Sequence, residues 1–191
     1  MKVKYSFLAV PITDVEEQAC VCEFMKYCFL CLYKFWFCSG VMGKAFYTQG
    51  GGVNYLCLPL DPEFPDNAQG GEQTGARVFG VEYHFGFPGM THQDAPCAVC
   101  EVQGRSAVLM IPAKQTCPAG WTLEYEGLLA SQHHRDTGSE YVCVSSNPEP
   151  SHSGHTDENG GLLHVVEAQC GSLPCPPYVS GYELTCVVCT K

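Results

Sequence analysis

Sulfur is the most conspicuous chemistry in this chain: 14 of its 191 residues are cysteine. That density is close to the level at which a short chain reads as a disulfide scaffold. Thiolates can also ligate zinc or run thiol–disulfide exchange. Cys97-x-x-Cys100 and Cys186-x-x-Cys189 together form a four-thiolate zinc pattern. Two observations weigh against zinc. The distance between the two knuckles follows from an internal repeat, and neither knuckle carries the glycine and basic residues common around zinc ribbons. A thioredoxin-like role is weaker, because no βαβ pattern follows either Cys-x-x-Cys. Paired sulfurs are the favoured reading, and they place the chain in an oxidising, extracellular setting.

Other side chains offer weaker chemistry. His133, His134, His152 and His155 cluster in sequence beside Asp136, Asp157 and Glu158. Imidazole and carboxylate can hold a divalent metal, but a solvated polar loop explains the pattern as well. Asp66, Glu72, Asp157 and Glu158 could offer oxygens to calcium, yet they lack EF-hand spacing. Neither a metal nor another cofactor is therefore expected. Catalysis finds little support: there is no Gly-x-Ser-x-Gly elbow. Gly50-Gly-Gly52 lacks the Lys-Ser/Thr of a phosphate loop. Cys100 with His92 could mimic a nucleophile pair, but the repeat explains that thiol better. Trp121, Tyr125, Tyr141, Tyr47, Tyr55 and Tyr178 could stack on sugars or meet a partner, although aromatics at alternating positions are more often core.

Composition limits the partners. A formal net charge of −10 disfavours nucleic acid and anionic membrane surfaces. The apolar run at 27–38 (YCFLCLYKFWFC) contains Lys34 and is too short to span a bilayer, which needs about 20 residues. The basic start and short apolar stretch at residues 1–12 do not make a clean signal peptide, because acidic residues follow at once and no small-residue cleavage site is obvious.

The elements that must position these residues recur. Residues 54–63 (NYLCLPLDPE) align with 140–149 (EYVCVSSNPE), and 47–52 (YTQGGG) with 133–138 (HHRDTG). Residues 77–82 (RVFGVE) align with 162–167 (LLHVVE), and 96–100 (PCAVC) with 185–189 (TCVVC). The order is kept and the spacing nearly constant. Two copies are too few for a solenoid and suit two half-domains packed face to face. Tyr-x-Cys with flanking Leu or Val alternates at strand period. Asp61-Pro62 and Asn147-Pro148 mark turns, and polar loops follow at 66–75 and 151–161. Further strands are expected at 77–85, 107–111 (AVLMI), 122–125 and 162–168, with AVLMI read as a buried strand between the two units. The expected fold is all-β or β-dominated and disulfide-rich, with two tandem homologous half-domains in pseudo-twofold symmetry. The first half is N-terminally incomplete: nothing in 30–41 matches the opening 116–127 (TCPAGWTLEYEG) of the second.

Residues 54–63, 94–101 (DAPCAVCE), 117–127, 140–144 and above all 169–191 (QCGSLPCPPYVSGYELTCVVCTK) resemble the C-terminal globular domain of short-chain, spongin-type collagens of sponges and related marine invertebrate proteins. The resemblance covers residues 43–191. It implies an extracellular, collagen-associated protein. This chain departs from the family by having no Gly-X-Y run, so it cannot form a triple helix. It also lacks the upstream Cys-Pro that family members carry.

Three parts are expected: an atypical segment at 1–39, a first unit at 40–105 and a second at 106–191. The first segment reads as misassigned sequence joined near Gly40, or as a lineage-specific N-terminus. Sequence alone leaves disulfide connectivity open. With the repeat as guide, the expected pairs are Cys57 with Cys97, Cys143 with Cys186, Cys117 with Cys189, and Cys170 with Cys175. Cys100 is left free, or captured by Cys38 or Cys31. The expected function is a secreted, non-catalytic structural or adhesive module contacting extracellular proteins, with a homo-oligomer compatible. A lectin-like binder of glycans is the alternative.

Overall fold

The computed structural model describes residues 40–191 apart from 69, 72–74, 100, 101, 103 and 152–155. Among the described residues there are nine strands and no helix. The strands are β1 (Gly40–Lys44), β2 (Leu56–Pro59), β3 (Phe79–Tyr83), β4 (Pro96–Cys97), β5 (Val108–Pro112), β6 (Thr122–Ser131), β7 (Val142–Ser145), β8 (Gly161–Val165) and β9 (Thr185–Thr190). Their order is β2-β1-β3-β8-β6-β9-β5, with β4 also on β1 and β7 also on β6. The protein is all-β and disulfide-rich.

Two strands organise the rest. β1 pairs antiparallel with β2, β3 and β4, and β6 does so with β7, β8 and β9. The two sets join through one parallel ladder, in which Val81, Glu82 and Tyr83 of β3 run beside Gly161, Leu162 and Leu163 of β8.

Four disulfides join described residues: Cys57–Cys97, Cys117–Cys189, Cys143–Cys186 and Cys170–Cys175. The first links β2 to β4 and the third links β7 to β9, so each bridges two strands that flank a common neighbour. Flanking strands in a flat sheet stand about 9.5 Å apart, two strand spacings. The bridged Cα atoms are 5.6 Å and 5.7 Å apart. The sheet must therefore curl sharply over β1 and over β6. Glycine permits the curl. A Cβ on Gly40 would sit 2.2 Å from the Leu58 carbonyl oxygen, and one on Gly127 would sit 1.8 Å from that of Val144.

One apolar cluster draws on both strand sets: Met42, Tyr55, Val81, Tyr83 and Phe87 pack with Ala130, Val142, Val144 and Leu163. A second cluster of Tyr125, Leu129, Cys143, Cys186 and Val188 lies within the β6 set. The Tyr125 hydroxyl is buried there and donates to the Cys143 carbonyl (2.9 Å); burial raises its pKa. Between the sets runs a polar seam. The buried Lys44 ammonium donates to Gln132 Oε1 and lies over the Tyr55 ring. Burial lowers the Lys44 pKa, and Asp136 partly offsets that. The Tyr55 hydroxyl accepts from Ser139 Oγ (2.9 Å), and burial pushes its pKa up to about 12. Gln132 Nε2 donates to the Tyr47 carbonyl (2.9 Å), and the Tyr55 amide donates to Glu140 Oε1 (2.8 Å).

Some expectations need correction. The AVLMI run is not a core strand between units. Among the described residues β5 lies at the sheet edge and pairs only with β9. Val108 and Met110 cover the β6-set cluster, while Leu109 faces solvent. An apolar run thus behaves as an ordinary alternating edge strand. β6 continues to Ser131, well past 122–125, because β7, β8 and β9 all hydrogen-bond to it. β1 falls where no strand is expected. The reading of 1–39, Cys31, Cys38 and Cys100 lies outside the described residues.

Two outcomes follow. Cross-link stabilisation grows with the loop closed, and sequence separations are 43 residues for Cys143–Cys186 and 5 for Cys170–Cys175. Replacing the first pair by serines lowers unfolding free energy by about 4 kcal/mol, and the second by about 2 kcal/mol, measured by urea denaturation. The same assay shows Gly127→Ala costing roughly 1–3 kcal/mol by overpacking. Gly138→Ala, with open space around it, is near neutral.

Candidate functional site

The parallel β3–β8 ladder sets the site. Alternation buries Val81 and Tyr83 in the core and turns Glu82 to the other face. The same alternation on β8 sends Leu163 into the core and His164 away from it. His164 pairs with Ser131 at the end of β6, and His133 follows two residues later.

Five imidazoles line up as a result. Ring centroids are 5.4 Å apart for His92–His84, 4.7 Å for His84–His164, 5.3 Å for His164–His133 and 4.2 Å for His133–His134. The chain has seven histidines; the other two, His152 and His155, lie outside the described residues. Phe85 is exposed and packs on His84 (4.4 Å).

At one end of the row stand Glu82, His92 and Asp157. Their ligand atoms all lie within 4.8 Å of one another. The chain returns antiparallel after β3, and His92 N–H donates to the Tyr83 carbonyl (2.9 Å). His92 adopts a left-handed conformation, φ 64°, which carries its ring back toward Glu82. Glu82 is held by the loop before β8: the Glu158 and Asn159 amides donate to its Oε1 (2.9 and 2.8 Å). Its other oxygen, Oε2, is buried without a hydrogen-bond partner among the described residues, and so is His92 Nδ1. The two are 3.7 Å apart, and His92 Nδ1 lies 3.6 Å from Asp157 Oδ1, both beyond hydrogen-bond range. The His84 Nδ1 atom is likewise buried and makes no hydrogen bond among the described residues.

Burial shifts two imidazoles of the row, His84 and His164. His164 is pushed down to about 4, first by desolvation and then by His84 and His133. His84 is lowered by burial and by His92, against the opposing pull of Asp157, Glu82 and Asp136.

The sequence candidates fall unevenly here. His133 and His134 join the row, and Asp157 joins Glu82 and His92. Asp66 is exposed and stands outside the grouping. Glu158 accepts from Thr156 Oγ1 (3.0 Å); Glu72, His152 and His155 lie outside the described residues. His92 faces carboxylates, and Cys100 is not described. Tyr55 and Tyr125 are core, Tyr141 is exposed, and Trp121 and Tyr178 are half-buried. Sequence reasoning passed over Glu82, His84 and His164. The signal available was alternation, which puts Glu82 and His84 on one face of the 77–85 strand.

A histidine whose folded pKa lies below its unfolded value of 6.5 takes up a proton on unfolding. The stability it supports is complete above about pH 6.5 and declines as pH falls toward about 4. Urea midpoints at pH 7 and pH 5 check this. The wild type loses on the order of 1–2 kcal/mol from this group, and His164→Gln flattens the slope.

No protein-family model matches the chain, and no curated protein or solved structure does either, so the functional reading rests on its cystines and on the chemistry of the residues themselves.

Proposed function

We propose that the chain is an extracellular structural or adhesive module of the collagen-associated type, acting by protein–protein contact and without catalysis. The observation that carries this reading is the edge strand β2. Among the described residues it pairs only with β1, which leaves one side of its backbone for ladder extension. Leu56 and Leu60 are exposed, and alternation places them on the face of Leu58. Leu58 and the exposed Val78 lie together over Gly43. Cys57 fastens this strand to β4, so the apolar stripe is presented on a rigid support, which lowers the ordering cost of binding.

A duplicated unit, as the sequence repeat suggests, would agree with this reading. Each of Cys57–Cys97 and Cys143–Cys186 joins a Tyr-x-Cys strand to a Cys-x-x-Cys segment. Gly40 and Gly127 lie opposite the second cysteine of each pair. Disulfides and the absence of a membrane-spanning helix among the described residues are compatible with secretion. A second reading, a lectin-like binder, draws on exposed Tyr141, whose ring could stack on a sugar.

Sedimentation velocity and a glycan array on the oxidised chain separate the two. The expected result is self-association or capture of a matrix protein, without selective sugar binding. Leu56→Glu with Leu60→Glu weakens that association tenfold or more, the loss typical of interface anchors. Selective glycan binding that survives this double substitution favours the lectin reading.

A further inference from the structure

We propose that Glu82, His92 and Asp157 form a binding site for a first-row divalent transition ion of the zinc class. The three come from separate places: Glu82 from β3, His92 from the turn after it, and Asp157 from the loop before β8. The donor distances of 3.6 and 3.7 Å are too long for direct hydrogen bonds. They are close to the separation of about 3.4 Å expected between two ligands held near 2.1 Å from one ion.

The strongest indication is the Glu82 carboxylate. Its side chain is 3% exposed, and Oε2 has no hydrogen-bond partner among the described residues. A buried carboxylate oxygen that accepts no hydrogen bond is costly; Oε2 meets His92 Nδ1 at ion-pair distance (3.7 Å), with the Asp157 carboxylate beyond it. His92 Nδ1 likewise makes no hydrogen bond among the described residues. An ion between them satisfies both atoms at once and offsets the repulsion between the two carboxylates. Glu82 Oε1 is already fixed by two backbone amides, the outer-shell support that ordinarily orients a metal-ligating carboxylate.

The donor set selects the ion. Calcium and magnesium take oxygen ligands, whereas imidazole with carboxylate suits zinc, copper, nickel or iron. Asp157 is 52% exposed and His92 37%, so the outward side of the ion stays open to water or to a donor from a partner. The bound ion ties the turn after β3 to the loop before β8, and thereby fastens the two strand sets beside their parallel ladder. The site is separate from β2 and does not depend on the adhesive reading.

The test is titration of the full oxidised, metal-stripped chain with zinc chloride by calorimetry, and with cobalt(II) by visible absorption. One ion per chain is expected, with a Kd of about 1 μM or tighter, a working threshold on the affinity scale, and with cobalt d–d bands. Glu82→Gln keeps Oε1 as the acceptor for the two amides, and Asp157→Asn alters an exposed side chain. Each, like His92→Gln, should weaken binding at least tenfold and abolish the cobalt spectrum. Zinc should raise the Tm of the wild type but not that of Asp157→Asn. His133→Gln with His134→Gln should leave binding unchanged. The proposal is overturned if binding survives all three ligand substitutions, if it is lost only with the His133 and His134 pair, if calcium displaces zinc, or if neither metal binds.

Discussion

A disulfide reaches only as far as its geometry allows, and here that limit shapes the sheet. Cysteine Cα atoms must come within about 7 Å to be bridged. Cys57 and Cys97 lie on strands that flank β1, and Cys143 and Cys186 on strands that flank β6. Bridging them forces the sheet to bend over its central strand. That bend brings neighbouring backbone so close that only glycine fits at Gly40 and Gly127. Cystine, glycine and curl are therefore one constraint. The short length of β2 and β4 is no weakness in this arrangement, because the sulfur bond does what a longer ladder would otherwise do.

Much of this was legible in the sequence, and the reasons are local. Tyr-x-Cys at strand period announces β2 and β7, whereas the two Cys-x-x-Cys segments announce cystines and give no sign that β4 and β9 run through them. β1 was not legible: Gly40–Lys44 holds two glycines and a lysine, poor strand formers that are strands only because three partners pair with them. The second half of β6, Glu126 to Ser131, is not legible either, since it shows no clean alternation. The place of β5 is not legible, because an unbroken apolar run looks alike in a buried strand and in an edge strand with one apolar face.

The site was the least legible part. Histidines at 84, 92, 133, 134 and 164 are scattered along the chain. They converge only because β3 lies beside β8, and β8 beside the end of β6. Glu82 reads as the polar end of a strand segment. Its burial comes from the Glu158 and Asn159 amides, some 76 residues away, which no local pattern reports.

The seam between the strand sets explains why such polar groups are kept where apolar ones would pack. The β3–β8 ladder pairs only three residues on each side, and an apolar interface of that length tolerates a slip of two residues without exposing the wrong face. A charged group does not. Lys44 finds Gln132 and the Tyr55 ring in one register, and a slipped pairing would leave its ammonium buried and alone, at a cost of several kcal/mol. Glu82 acts in the same sense from the opposite face, because its Oε1 meets two amides only when the loop before β8 is in place. The junction is thus fixed less by the amount of surface it buries than by the penalty that every other alignment would incur.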